Sequence, residues 1–67
     1  SSLHVLIDML NDKYFDIRIE AIKNIMRYRN QTALNALKMA MDDPNTNVKI
    51  EAKRGFAKLK SRLDSEN

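Results

Sequence analysis

His4 is the only imidazole in the chain, and there is no cysteine. Catalysis or metal binding needs several groups converging on one atom. The one partner at helical spacing is Asp8, a turn further on. Two groups make at most a weak contact, so His4 reads as a surface residue. Without thiols there is no disulfide framework, thiolate metal site or sulfur nucleophile. The single glycine rules out a glycine-rich phosphate loop, and no Ser–His–acid set or tuned pair of carboxylates is visible. The chain therefore reads as non-enzymatic, with no catalytic, cofactor-binding or metal-binding residues and no cofactor.

The chemistry that remains is charge. Lys23 and Arg27 are one helical turn apart, and so are Arg54 and Lys58. The formal net charge is +3 and the isoelectric point is about 9.5, which is mildly basic. Such a surface suits an acidic partner, either protein or nucleic acid, without demanding one. Glu20 and Glu51 offset the cations at one end, while Arg29, Lys60 and Arg62 extend them at the other.

These residues need helices to position them. Apolar residues recur at helical spacing in four stripes: Leu3, Leu6, Ile7 and Leu10; Ile17, Ala21, Ile25 and Tyr28; Ala33, Leu34, Leu37, Ala40 and Met41; and Val48, Ala52, Phe56, Leu59 and Leu63. The stripes predict helices near 2–11, 15–29, 31–42 and 46–63, in one all-α domain over 1–67 with a frayed tail at 64–67. One glycine and one proline are too few for the turns of an all-β domain. Ser2 is placed to cap the first helix. Pro44 lacks an N–H and disfavours helix at Asp43, so the third helix should stop near Asp42 and Asn45 should cap the fourth. The short connections make neighbouring helices antiparallel.

The chain also repeats itself. At an offset of 31 residues, NDKYFDIRIEA (11–21) falls on DDPNTNVKIEA (42–52). Leu3 meets Leu34, Leu6 meets Leu37, Asp12 meets Asp43, Arg18 meets Lys49, and Ile19-Glu20-Ala21 meets Ile50-Glu51-Ala52 unchanged. Lys23 and Arg27 meet Arg54 and Lys58, so the paired cations are themselves repeated. A period near 30 that contains two helices signals an α-solenoid, whose hairpins bury their apolar faces by stacking.

Asp43-Pro44-Asn45-Thr46-Asn47-Val48-Lys49, followed by Ala52, resembles the D-P-x-x-x-V-R…A signature of HEAT repeats, and the short period resembles the phycobilisome-lyase type of HEAT-like repeat. The resemblance covers Leu3 to Leu63 as two repeats, 1–30 and 31–63. It implies a polar ladder between repeats, with Asp12 and Asp43 as acidic rungs, Arg18 and Lys49 as basic ones, and Arg18 reaching Asp43. Two departures weaken the match: Lys13 and Tyr14 replace the proline and the cap in the first copy, and Lys49 replaces arginine, losing the planar fork. Without those stop signals the first corner is expected to be the looser one.

The resemblance also implies that the second-helix surface carrying Lys23, Arg27, Arg54 and Lys58 is concave and binds partners. The leading functional expectation is a scaffold module for protein–protein interaction with an acidic partner. The alternatives are a nucleic-acid-binding module using the same face, and an accessory domain of a lyase-type or regulatory protein. No aromatic residue is interleaved with the cations, which counts against nucleic acid. Two repeats are few for a free-standing stack, so flanking repeats or a homodimer are expected. No apolar run is long enough for a membrane span. The opening SSLHVLIDML has neither a basic leader nor a cleavage pattern, so a cytoplasmic location is expected. Of the four methionines, Met9, Met26 and Met41 read as core filling and Met39 as exposed. Tyr14 and Phe15 are expected to pack over the end of the core. Gly55 reads as a tolerated interruption of the last helix.

Overall fold

The computed structural model describes residues 2–66 and contains, in order, α1 (Leu3–Asp8), a 3₁₀ turn (Met9–Asn11), α2 (Phe15–Ile25), α3 (Gln31–Ala40) and α4 (Thr46–Ser65). No strand occurs among the described residues, and none of their helices is long and apolar enough to cross a membrane. Ser1 and Asn67, at the ends of the expected repeat and tail boundaries, lie outside the described residues.

Three of the helix starts have side-chain caps. Ser2 Oγ accepts from Val5 N, Asn30 Oδ1 from Ala33 N, and Asn45 Oδ1 from both Asn47 N and Val48 N. Each satisfies an amide that the first helical turn leaves without a partner. Tyr14 precedes α2 without a side-chain cap.

The helix ends differ from the periodicity in four places, one of them the third helix, which stops at Ala40 rather than near Asp42 as Met41 N, Asp42 N and Asp43 N bond back three residues. The first helix tightens into the 3₁₀ turn after Asp8. The second stops at Ile25 rather than 29, because Arg27 N and Tyr28 N bond back three residues, to Asn24 O and Ile25 O. Arg62 Nη1 then takes the Met26 carbonyl at 3.1 Å, so the tightened end is satisfied from another helix. The fourth helix runs on through Ser65, past the expected end at 63; Lys60 and Asp64 pair at 3.5 Å, and so do Arg29 and Glu66.

The core is apolar throughout. Ile22, Ile25, Leu37, Val48 and Leu59 are its largest fully enclosed side chains, packed with Ala21, Ala33 and Ala52. No polar or charged residue is fully buried among the described residues. Leu3, Ile7, Met9, Leu10, Tyr28, Met41, Phe56 and Leu63 close its margins. α1 packs on α2 and α3 on α4; in addition α2 lies against α4 and α1 against α3.

Two aromatic residues depart from expectation. Tyr14 is 59% exposed and Phe15 46% exposed, so neither covers the core end. Tyr14 lies under Lys13 Nζ, 5.0 Å from the ring centroid. Met39, at 78% exposure, is on the surface as the stripe predicts, but Met9 and Met41 are only partly buried.

Gly55 is buried where α4 crosses α2. A Cβ built there would lie 3.5 Å from Ile22 Cγ2, 3.6 Å from Met26 Sδ and 3.7 Å from Leu37 Cδ2, all ordinary contact distances. The crossing therefore admits a methyl group, and φ is not positive. Gly55→Ala is expected to stabilise the protein by about 1 kcal/mol through reduced unfolded-state freedom and better helix propensity, measurable as a rise in the urea midpoint. A drop would mean that the helices touch more closely at this crossing.

Candidate interaction surface

The corner between α3 and α4 is built on Asp43. Its Oδ1 accepts from Asn45 N at 2.9 Å, which turns the chain around Pro44 into the Asn45 cap. The same carboxylate receives Arg18 from α2 in a two-point pair, Nε to Oδ2 at 2.9 Å and Nη2 to Oδ1 at 3.1 Å. Arg18 Nη1 donates onward to the Asp12 carbonyl at 2.7 Å. One guanidinium thus ties both corners together. Its side chain is 13% exposed and that of Asp43 is 9% exposed. Burial by itself raises the Asp43 carboxyl. The Arg18 hydrogen bond, the Asn45 amide and the charges of Arg18 and Lys49 outweigh it, and hold the group below the usual carboxylate range.

The other two ladder residues behave differently. Asp12 Oδ1 accepts the Tyr14 amide at 2.9 Å and makes no ion pair among the described residues. Lys49 also makes none and reaches Asp43 only through its field. The first corner lacks proline, but the Asp12 side chain and the Arg18 clamp supply two restraints that its sequence does not advertise.

The four repeated cations depend on how α2 meets α4. Contacts between them run in the same order along both helices: Arg18 with Asp43 just before α4, Ile22 and Met26 with Gly55, Met26 with Arg62, and Arg29 with Glu66. The two helices are therefore parallel. Successive residues turn by about 100° around a helix. Lys23 follows a residue that faces α4, and Arg54 precedes the glycine that faces α2; Arg27 lies beyond the end of α2, beside Asn24, Tyr28 and, from α1 and its 3₁₀ turn, Leu6 and Met9. In parallel neighbours those opposite steps lead to the same side of the pair. Lys58, one turn after Arg54, stays on that side. All four side chains are exposed; the helical step puts Lys23, Arg54 and Lys58 on the side away from α1 and α3, while Arg27 borders α1.

Around this surface, Glu51 holds Arg54 at 3.2 Å and partly neutralises it. Arg29, Lys60 and Arg62 do not extend the patch as free charges, because each is engaged: with Glu66, with Asp64 and with the Met26 carbonyl. His4 is exposed on α1, with Nε2 3.9 Å from Asp8 Oδ2. Among the described residues no three His, Cys, Asp or Glu side chains converge as a metal-binding set. The arrangement offers charge and hydrogen-bond donors on an open surface.

Sequence reasoning identified the four cations and the Arg18–Asp43 contact. It missed the Arg18 bond to the Asp12 carbonyl and the Arg62 bond to Met26. Neither has a local signal, since each depends on a partner six or more residues away presenting a bare carbonyl. Compared with protein-family models, curated proteins and solved structures, the chain matches none of them.

Proposed function

We propose that this chain is a non-catalytic protein-interaction module, a short α-solenoid segment of two stacked HEAT-like hairpins. Lys23, Arg27, Arg54 and Lys58 meet an acidic segment of a protein partner. The reading is supported by the exposure of all four cations and by the helical step that turns Lys23, Arg54 and Lys58 to one side of the parallel α2–α4 pair. The internal repeat supports it, since the same two cations recur at the same step in both hairpins. An extended carboxylate-rich peptide lying across both helices would meet cations from each. Complementary charge of this kind governs orientation and encounter rate more than raw affinity.

The test is binding of a glutamate-rich peptide followed by fluorescence anisotropy. Lys23→Glu combined with Arg27→Glu is expected to weaken it about tenfold, or ~1.4 kcal/mol. The same reversal at Lys13, on the far corner, should have no effect. Equal loss from both variants would reduce the binding to net charge and remove the site. Binding to duplex DNA that is tighter than to the peptide and falls steeply with salt would instead mark phosphate contacts.

A further inference from the structure

The step that carries the first hairpin onto the second has a consequence at the two ends of the molecule. Across the observed junction, Arg18 meets Asp43, Ile22 meets Gly55, and Ile7 and Leu10 share a groove with Ala36, Met39 and Ala40. Moving each residue by the 31-residue repeat gives the two faces that have no hairpin against them. The outward face of the second hairpin presents Lys49 for Arg18, Lys53 for Ile22, Lys38 with Met41 for Ile7 with Leu10, and Asp42 for Asn11 of the same groove. The outward face of the first presents Asp12 for Asp43, Asn24 for Gly55, and Val5, Asp8 and Met9 for Ala36, Met39 and Ala40. Glu20 lies one turn before Asn24, whose side chain bonds the Glu20 carbonyl.

One end is basic and the other acidic, in register. We propose that a second copy of this chain stacks head to tail on the first, so that Lys38, Lys49 and Lys53 of one copy meet Asp8, Asp12 and Glu20 of the next. None of the three lysines has an ion-pair partner among the described residues, and neither does Asp12 or Glu20; Asp8 has only the long contact to His4. Val5 is 47% exposed on the acidic face, and Met9 is half-buried beside it. Lys53 replaces the isoleucine of the internal junction, so the basic face selects a charged complement rather than an apolar one. Such an interface joins unlike surfaces and leaves both ends of the product open, so growth does not stop at a dimer. Screening by salt weakens it, because the pairs are at the surface.

The inference rests on the stacked-hairpin reading but not on the α2–α4 binding surface. Sedimentation equilibrium of the wild-type chain is expected to show a mass rising with concentration past twice 7.8 kDa at about 20 mM salt, and returning to monomer near about 500 mM. Lys53→Glu and Glu20→Lys should each weaken association about tenfold, and their equimolar mixture should restore it. Circular-dichroism melts of both variants should match wild type, since both side chains are exposed. Lys53→Glu should also leave acidic-peptide binding unchanged, and Lys58→Glu should leave association unchanged. A monomer at every concentration at low salt, a plateau at the dimer mass, or indifference to both reversals would overturn the proposal.

Discussion

Leu37→Ala is expected to leave a large fraction of this protein unfolded at room temperature. Leu37 is fully enclosed, and its Cδ2 reaches the α2–α4 crossing, where Ile22, Met26 and Gly55 converge. It therefore joins three helices at one point. Truncating such a leucine costs about 3 kcal/mol, from lost transfer energy and from the cavity left behind. The surrounding helices can collapse only by shifting the crossing itself, which keeps the cost from falling to the bottom of the usual range. A single core this small supplies only about 3–5 kcal/mol in total. Met39→Ala is the matched control: its side chain is 78% exposed, and the change should stay within about 0.5 kcal/mol. Urea unfolding followed by circular dichroism checks both. A loss below about 1 kcal/mol for Leu37→Ala would show that the core is not centred on this leucine.

Asp43→Ala is expected to cost about 2 kcal/mol and to flatten the acid side of the stability curve. The pair is neither a solvated surface bridge, at about 0–1 kcal/mol, nor a deeply buried one, at about 3–5. The substitution leaves Arg18, only 13% exposed, with the Asp12 carbonyl as its remaining acceptor. It also removes the acceptor for the Asn45 amide at the helix stop. The folded carboxyl sits below its unfolded value, so its stabilisation is present above about pH 4, where the unfolded carboxyl is ionised. It is lost as the pH falls through the depressed folded value. The wild-type urea midpoint should therefore decline as the pH falls below about 4, and Asp43→Ala should decline less over the same interval. Arg18→Lys keeps the charge and loses the fork, so it should fall between the two at neutral pH. Parallel acid profiles for wild type and Asp43→Ala would mean that this carboxylate does not report on folding.

Much of the architecture was legible in the chain. Four apolar stripes marked four helices, and Pro44 with Asn45 marked the third corner because proline and capping chemistry act over a few residues. Helix ends were less legible. α2 stops early because its last turn tightens and a distant arginine satisfies the freed carbonyl, and nothing within residues 26–29 encodes Arg62. Tyr14 and Phe15 misled for a related reason. Their composition argues for burial, but both side chains stand largely exposed at the start of α2.

The candidate surface divides in the same way. By itself the sequence determined which side chains carry charge, the turn spacing of Lys23 with Arg27 and of Arg54 with Lys58, and the repeat that pairs them. Those are properties of composition and period. Only the tertiary structure decided that α2 and α4 lie parallel and side by side, which turns Lys23, Arg54 and Lys58 to one side, that Arg27 borders α1, and that Arg29, Lys60 and Arg62 are taken up by partners of their own. Side-chain spacing sets the angle of a residue around its own helix. The angle between residues on two helices is set by which faces pack, and here that was decided where Ile22 and Met26 close on Gly55.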